Sequence, residues 1–588
     1  DAVELAEYTI NNQKDYILEE LYKRKPDVLC FSCYIWNIDY VTDIAREYKK
    51  LCPSVPIWVG GPEVSYEVEA FLRENPYIDG VMIGEGEDTF RELCGYYAHK
   101  RKLSDIAGIA FRKNSTGNST SVNNIGGCKA DEIVFTSPRP IKNMSEIPFC
   151  YDTLDDFSNR IIYYESSRGC PFSCSYCLSS VDKTLRFRDT EIVKRELKFF
   201  IDQKVPQIKF VDRTFNCNHA HAMELWRFIK ANDNGVTNFH FEISADLLNQ
   251  EELELISDMR PGLIQLEIGV QSTNEVTIKE IHRTMKLERL KEVVKLIQSG
   301  NNIHEHLDLI AGLPYEDYDS FGRSFDEIYE LKPNQLQLGF LKVLKGSYMF
   351  EHAAEYGIVY HDKPPYEVMS TKWLSFDDVI KIKRVEEMLE VYYNSGQFEI
   401  TMKLMECIFD SAFEFFQELG DFYEANGYFG MSHSRIRRCE ILLEFLALYL
   451  HGCDSDDMAS VGLSGNAGDR DNTDFDENAG DRDNTDFDEN AQIYSMIQES
   501  LIFDLYYREN CKSRPVWATD IGSFKHMTHA YCKNGKLSHV EPFHYIFPDK
   551  HTRKLDELPK YHKEPVWALF HYDMRDPLDH QALVEYIE

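Results

Sequence analysis

Three cysteines, Cys170, Cys174 and Cys177, stand at a C-x3-C-x2-C spacing in a short segment otherwise rich in Gly, Pro and Ser. Turn residues of this kind leave the backbone loose enough for three sulfurs to face one point. The three are too close together, and too interrupted by turn residues, to share one apolar face as core cysteines do. Structural zinc takes a closed set of four nitrogen or sulfur ligands, and ordinary ferredoxin clusters use four thiolates. Three thiolates therefore point to a site with a vacant coordination position. A [4Fe-4S] cluster held through three of its irons leaves the fourth open to an outside ligand.

An aromatic residue, Tyr176, directly precedes the last cysteine. With that residue the loop resembles the radical S-adenosylmethionine (SAM) enzymes. The resemblance implies that the open iron binds the amino and carboxylate groups of SAM, and that an electron from the cluster cleaves SAM to a 5'-deoxyadenosyl radical.

The chain of 588 residues is too long for a single core, and about three domains are expected. Apolar residues make up 43% of it and no run approaches the roughly 20 needed to span a membrane. It opens Asp1-Ala2-Val3-Glu4, with neither a secretory leader pattern nor an initiator methionine. Fifteen cysteines, an odd number with three in one motif, fit a reducing cytoplasm and not a disulfide scaffold. A net charge of −35 argues against a general nucleic-acid surface, because phosphate binding is driven by Lys and Arg; a local basic patch for a folded RNA stays compatible with it.

Residues 1–140 alternate helix and strand patterns: helices at 12–24 and 41–51, and apolar runs at 26–33, 56–62 and 78–86. Such alternation indicates a Rossmann-like, doubly wound parallel sheet. Ligands of these sheets sit beyond the carboxyl ends of the strands, where Ser32, Gly60, Gly61, Gly84, Glu85 and Gly86 fall. The GGP and GEGE stretches after successive strands resemble the cobalamin-binding domain fused to many radical SAM enzymes, and this resemblance implies bound cobalamin. Residues 3–10 correspond to the second strand of that domain, so its first strand is expected to be missing. The D-x-H-x-x-G motif of the mutase-type domains is absent. A Rossmann-like domain kept for stability or partner recognition is the other reading of the same glycines. Trp36 is expected either against a corrin ring or in an interdomain contact. A hairpin is expected at 106–112 and 132–136, with a polar tip at 114–127.

Residues 141–350 continue with strands at 161–165, 207–212, 240–245, 263–270, 306–311 and 335–343, separated by amphipathic helices. Six parallel strands, each followed by a helix, describe a partial (β/α)6 barrel whose active site lies at the C-terminal strand ends. Polar groups there include Asp212, Arg213, Glu242, Gln271, Arg283 and Asp308. The GVQS, HR and DLIAGLP series resembles the oxygen-independent coproporphyrinogen oxidase branch of the radical SAM family. By that resemblance Gln271 and Arg283 hold the SAM carboxylate, Asp308 the ribose, and Glu242 is a further SAM-binding acid. The GGE-type motif of that branch is replaced here by a stretch containing Asp212, which is assigned to the SAM amino group. Phe172 and Tyr176 line the adenine side. His304 and His306 are expected as core or surface residues and Cys217 as packing.

Residues 351–588 are expected to form a mostly helical α+β cap domain, with helices at 373–393, 398–419 and 433–450. A perfect twelve-residue tandem repeat, 466–477 and 478–489, carries five acids and one arginine per copy and lacks the turn glycine and closing Glu of a calcium loop. It is expected as a disordered acidic insertion at about 454–491. The aromatic-rich end, including Tyr531, His539, His544, Tyr545, Trp567, His571 and Tyr572, is either a lid over the barrel mouth or the core of a small α/β cap.

The expected function is SAM cleavage at a [4Fe-4S] cluster coupled through cobalamin to radical methyl transfer, with ring rearrangement and redox chemistry also found in the resembling group. The implied partners are a small-molecule or peptide substrate and a low-potential donor such as flavodoxin or ferredoxin. Two other readings stand beside it. Methylthio transfer calls for a second cysteine triad, which Cys30, Cys33, Cys52 and Cys94 do not form by spacing; a nonenzymatic iron-sulfur scaffold leaves the SAM-binding series without a purpose.

Overall fold

The computed structural model describes residues 3–113, 132–451 and 484–587, apart from short stretches within 152–159, 512–536 and 549–556 and at positions 182 and 577. The hairpin tip at 114–127 and residues 454–483 of the acidic insertion lie outside the described residues. From Asn484 the chain is a helix, Asn484–Arg508, so the last part of the expected insertion is regular structure.

The N-terminal sheet has the order β1 (Leu29–Ser32), β2 (Ile57–Gly60), β3 (Gly80–Met82), β4 (Ile109–Lys113), β5 (Glu132–Phe135). The first three strands pair in parallel and the last two antiparallel. Helix Ile38–Leu51 shows why the unit is layered: Ile38, Val41, Ile44, Ala45 and Tyr48 recur at helical spacing and are all buried against the sheet side. Residues 3–10, expected as a strand, are not one. Their alternation suits a strand, but among the described residues no sheet neighbour pairs with them, and Val3, Leu5 and Ile10 stay exposed. Ion pairs of Glu4 with Arg24 and of Glu7 with Arg160 tie the segment down instead.

The barrel strands are β6 (Ile162–Tyr164), β9 (Gln207–Phe210), β10 (Asn238–Ile243), β11 (Ile264–Gln271), β12 (His304–Ala311) and β13 (Gln335–Phe340), all paired in parallel in the order β13-β12-β11-β10-β9-β6. A two-stranded ribbon, β7 (Ser167–Arg168) with β8 (Arg186–Phe187), follows β6. Six strands leave the barrel open between β6 and β13. On β11 and β12 burial alternates strictly: Ile264, Leu266, Ile268 and Val270 are buried beneath the helices, and Gln265, Glu267, Gly269 and Gln271 face the lumen. The outer face is thus the apolar core and the lumen is polar, which suits a barrel that holds a ligand and not a packed plug of side chains.

The C-terminal helices share one core with the barrel. The expected helix at 398–419 is two, Glu399–Ile408 and Ala412–Ala425, because the Ser411 hydroxyl accepts the Glu414 N–H and starts the second. Phe413 packs over Gly322 of helix Tyr318–Tyr329, where a Cβ would lie 2.8 Å from its ring. The Asn394 side chain bonds both the N–H and the C=O of Leu336, closing the free edge of β13. The aromatic end of the chain is a core: Phe503 of helix Asn484–Arg508 packs on Phe543 and Phe570 of a three-stranded antiparallel sheet (Ser538–Tyr545, Tyr561–Arg575, Ala582–Ile587) and on Phe547 just past its first strand. Among the described residues no helix is long and apolar enough to cross a membrane.

Candidate active site at the barrel mouth

The cysteine loop leaves β7 through Gly169, whose φ of +93° and a carbonyl, Thr184 O, 2.5 Å from where a Cβ would sit, admit only glycine. Two backbone bonds of 2.9 Å clamp the loop between other elements: Ser175 N–H donates to Ile281 O and Met349 N–H donates to Ser175 O. Beneath it Asp212 is fully buried. One carboxylate oxygen accepts the Ser166 N–H at 2.8 Å and the other accepts the Ser166 and Ser167 hydroxyls at 2.6 Å each. These bonds occupy the carboxylate, so Asp212 is a brace under the loop and not the expected contact to the SAM amino group. Its neighbours Arg213 and Thr214 reach the cavity in its place.

That cavity, of ≈ 190 Å³, is lined by Cys170, Cys174 and Cys177 together with Phe172, Tyr176, Glu242, Gln271, Arg283 and Asp308. The barrel thus brings all three cysteines and every predicted SAM residue except Asp212 to one place. Gln271 reaches it by an irregularity: the β11–β12 register shifts between Gly269 and Gln271, and Gln271 adopts φ +76°. A bulge of this kind re-aims a side chain at the end of a strand. The turned side chain folds over Gly269, where a Cβ would lie 2.3 Å from Gln271 Nε2. Arg283 spans the same gap. Its Nη2 donates to Gly269 O, and its Nη1 lies 3.2 Å from Tyr176 O–H and 3.8 Å from Cys174 Sγ. A glycine inside a strand of alternating apolar and polar residues is the signal by which Gly269 was open to prediction.

Three polar atoms here are buried without a partner: Gln271 Oε1, Arg283 Nε and Asp308 Oδ1. Buried polar groups are ordinarily bonded, so such a cluster marks a place for a ligand rich in hydrogen-bonding groups. Burial, then the charge of Glu267, pushes Glu242 up to about 7; burial, then Glu267 and Glu242, does the same to Asp308. Glu267 itself is held down to about 2 by His240 and, against burial, by Lys209. One lumen carboxylate is thus fully charged and two are poised to accept from, or donate to, ligand hydroxyls.

Lower in the lumen the His304 and His306 rings lie 4.9 Å apart and His240 lies 5.8 Å from His306. Among the described residues no three His, Cys, Asp or Glu side chains converge on a single metal ion. With an arginine beside Cys174 and the partnerless groups opposite, the donor set fits an iron-sulfur cluster carrying SAM on its free iron.

At the strand ends of the N-terminal sheet, Ser32, Gly84 and Gly86 are exposed, and added Cβ atoms at Gly84 and Gly86 would meet nothing within 4 Å. A Cβ added at Gly60 would lie 3.3 Å from the Met82 side chain. Of the other two predicted cobalamin contacts, Gly61 sits in a tight turn and the Glu85 carboxylate is committed elsewhere. Gly61 (φ +115°) is needed because a Cβ would lie 2.4 Å from Cys33 O. The Glu85 carboxylate pairs with Arg168 at 3.2 Å and Arg186 at 2.6 Å. Trp36 is not an interdomain contact: it is 61% exposed and stacks on Tyr34 at 4.5 Å. The open glycines and this flat aromatic pair offer a face for a planar macrocycle.

Residues 2–94 match the family model of the B12 binding domain, residues 164–328 that of the radical SAM superfamily, and residues 354–581 a family described as protein of unknown function (DUF4080). The cobalamin-dependent radical SAM methyltransferase TokK of Streptomyces tokunonensis is 28% identical over 330 residues, covering 52% of this chain and 45% of that protein. The 2-(S-pantetheinyl)-carbapenam-3-carboxylate methyltransferase of Streptantibioticus cattleyicolor is 27% identical, covering 52% and 45%. The chain thus spans about half the length of these curated relatives. Among solved structures, that of the cobalamin-dependent SAM radical enzyme OxsB with aqua-cobalamin and SAM bound covers 84% of this chain and 74% of its own, with TM-score 0.50 and 16% identity, which shows a shared fold.

Proposed function

We propose that this chain, a radical SAM protein carrying a B12-binding domain, reductively cleaves SAM at a [4Fe-4S] cluster and, with cobalamin, performs radical methyl transfer or a related rearrangement on a small molecule or peptide. In this reading residues 1–140 hold cobalamin, 141–350 form the radical-generating barrel, and 351–588 support it from the side of β13. The observation that carries the reading is the convergence of three thiolates and three partnerless polar atoms on one cavity.

Held there by Cys170, Cys174 and Cys177, a reduced cluster would supply the electron for reductive cleavage of SAM to methionine and a 5'-deoxyadenosyl radical, and cobalamin would supply methyl carriage. The chain's own residues bind and orient. Cys170, Cys174 and Cys177 hold three irons, and Gln271 with Arg283 meets the SAM carboxylate. Asp308 and Glu242 accept from ribose hydroxyls, and Phe172 and Tyr176 flank adenine. Ser32, Gly60, Gly84 and Gly86, with Tyr34 and Trp36, receive the corrin. Such chemistry calls for a low-potential donor of the flavodoxin or ferredoxin type and a reducing, cytoplasmic setting.

The test is anaerobic purification and cluster reconstitution, followed by reduction with dithionite in the presence of SAM. Formation of 5'-deoxyadenosine, lost in Cys174→Ser together with the iron and in Asp308→Asn with iron retained, is the expected result. A corrin band in the optical spectrum, with transfer of label from methyl-labelled SAM, would extend it to the cobalamin step. Iron-loaded protein that leaves SAM intact would overturn the reading in favour of a scaffold.

A further inference from the structure

The Gly84–Glu87 turn is open to a ligand at its glycines, but its two carboxylates point the other way, onto the cysteine loop. Arg168 closes β7 and is followed directly by Gly169 and Cys170. Its Nη1 lies 3.2 Å from Glu85 Oε1, and its Nη2 lies 2.9 Å from Glu87 Oε1 and 2.7 Å from Glu165 Oε2. On the paired strand, Arg186 stands directly across from Arg168 and its Nη2 lies 2.6 Å from the same Glu85 oxygen. Two guanidinium groups side by side repel, and Glu85 between them converts that repulsion into a shared attachment. Lys142 completes the set: its N–H donates to Glu85 Oε2 at 3.3 Å and its ammonium to Asp88 at 2.7 Å.

These side chains are mostly shielded from water, Arg168 being 23% exposed, Arg186 13% and Glu85 22%, so salt and solvent screen them less than an ordinary surface pair. Burial pushes the Glu85 carboxyl up, but the Arg186 bond and the Arg168 charge outweigh it and hold the group below its usual value. The acids also sit at the start of helix Gly86–Tyr97, whose free N–H groups favour negative charge there.

We infer that Gly84–Glu87 is an interdomain latch: Glu85 and Glu87 hold Arg168, and through the single residue Gly169 they position Cys170 relative to the open face of the N-terminal sheet. These are positioning residues. The latch, with Arg186 and Lys142 beside it, ties the relative placement of the two cofactor faces to the contacts of one arginine with two carboxylates. It rests on contacts between described residues and not on SAM cleavage, so it stands or falls separately from the proposed reaction.

The test compares the parent chain with Glu85→Gln/Glu87→Gln, Glu87→Gln, Arg168→Lys, Arg168→Ala and Arg168→Ala/Glu87→Gln by amide hydrogen exchange. The near-isosteric glutamines lie in the N-terminal unit, yet exchange should rise about tenfold across 165–188 in the barrel unit, with strand Ile264–Gln271 unchanged as the folding control. Arg168→Lys, a single point charge that cannot bridge three carboxylates, should fall between parent and Arg168→Ala. The Arg168→Ala and Glu87→Gln effects should be non-additive. Exchange that rises only within 84–97, or effects that add independently, would overturn the latch and reduce the acids to stabilisers of their own helix.

Discussion

Gly269 and Gln271 act as one device at the barrel mouth. A Cβ at position 269 would press on the amide end of Gln271 and touch Arg283 Nη2 at 3.5 Å, both of them ends of flexible side chains. Gly269→Ala should therefore change stability by no more than about 1 kcal/mol while displacing Gln271 and weakening SAM binding about tenfold, as equilibrium binding to the reconstituted protein would show. Glu242 and Asp308 make a second prediction. Their carboxyls sit near 7 in the folded chain, against ordinary values near 4 when unfolded. Between those limits the folded state holds protons that the unfolded state has lost, so the ligand-free protein loses stability as pH rises towards 7. Asp308→Asn removes its share of that loss and should stabilise the ligand-free chain more at pH 8 than at pH 5, on the order of 1–3 kcal/mol at the higher pH, in denaturant titrations.

The strands of the barrel follow from their periodicity, because an outer apolar face must alternate with a lumen face, and the helix breaks follow from local caps. Edge closure does not follow from pattern alone. Asn394 lies in a helical turn more than fifty residues beyond β13, yet its amide satisfies both backbone groups of Leu336. Asn394→Ala leaves that N–H and C=O without their partner. It should cost about 1–3 kcal/mol, with faster amide exchange confined to Gln335–Phe340 and the adjoining helical turn.

Across the whole molecule, the N-terminal unit meets the barrel through charge as well as packing, Glu85, Glu87 and Asp88 against Arg168, Arg186 and Lys142, and meets the C-terminal part where the Tyr366 hydroxyl donates to Glu63. The Glu85 carboxyl is held below its usual value, so its contribution is fully present above an ordinary Glu value of about 4.3 and is lost as pH falls through the depressed folded value. Below about pH 4 the interface should loosen before the barrel core unfolds. Protease cleavage near 136–165, rising in acid while the strand amides of the barrel stay protected, would register it.

Much of this architecture was legible beforehand. The cysteine spacing, the β/α alternation and the GVQS, HR and DLIAGLP series are local in the chain, and local chemistry is what a chain displays before it folds. Asp212 and Arg213 show where that legibility stops: both follow the same strand, and only the packing of Ser166 and Ser167 against Asp212 decides which is consumed as a brace and which faces the cavity. Glu85 is the same case between domains, since nothing near it in sequence announces Arg168. The residue types able to bind iron and SAM were written in the order of amino acids; which way each strand-end side chain points was settled by neighbours brought from far along the chain, because a buried polar group takes whatever partner the fold places within hydrogen-bonding reach.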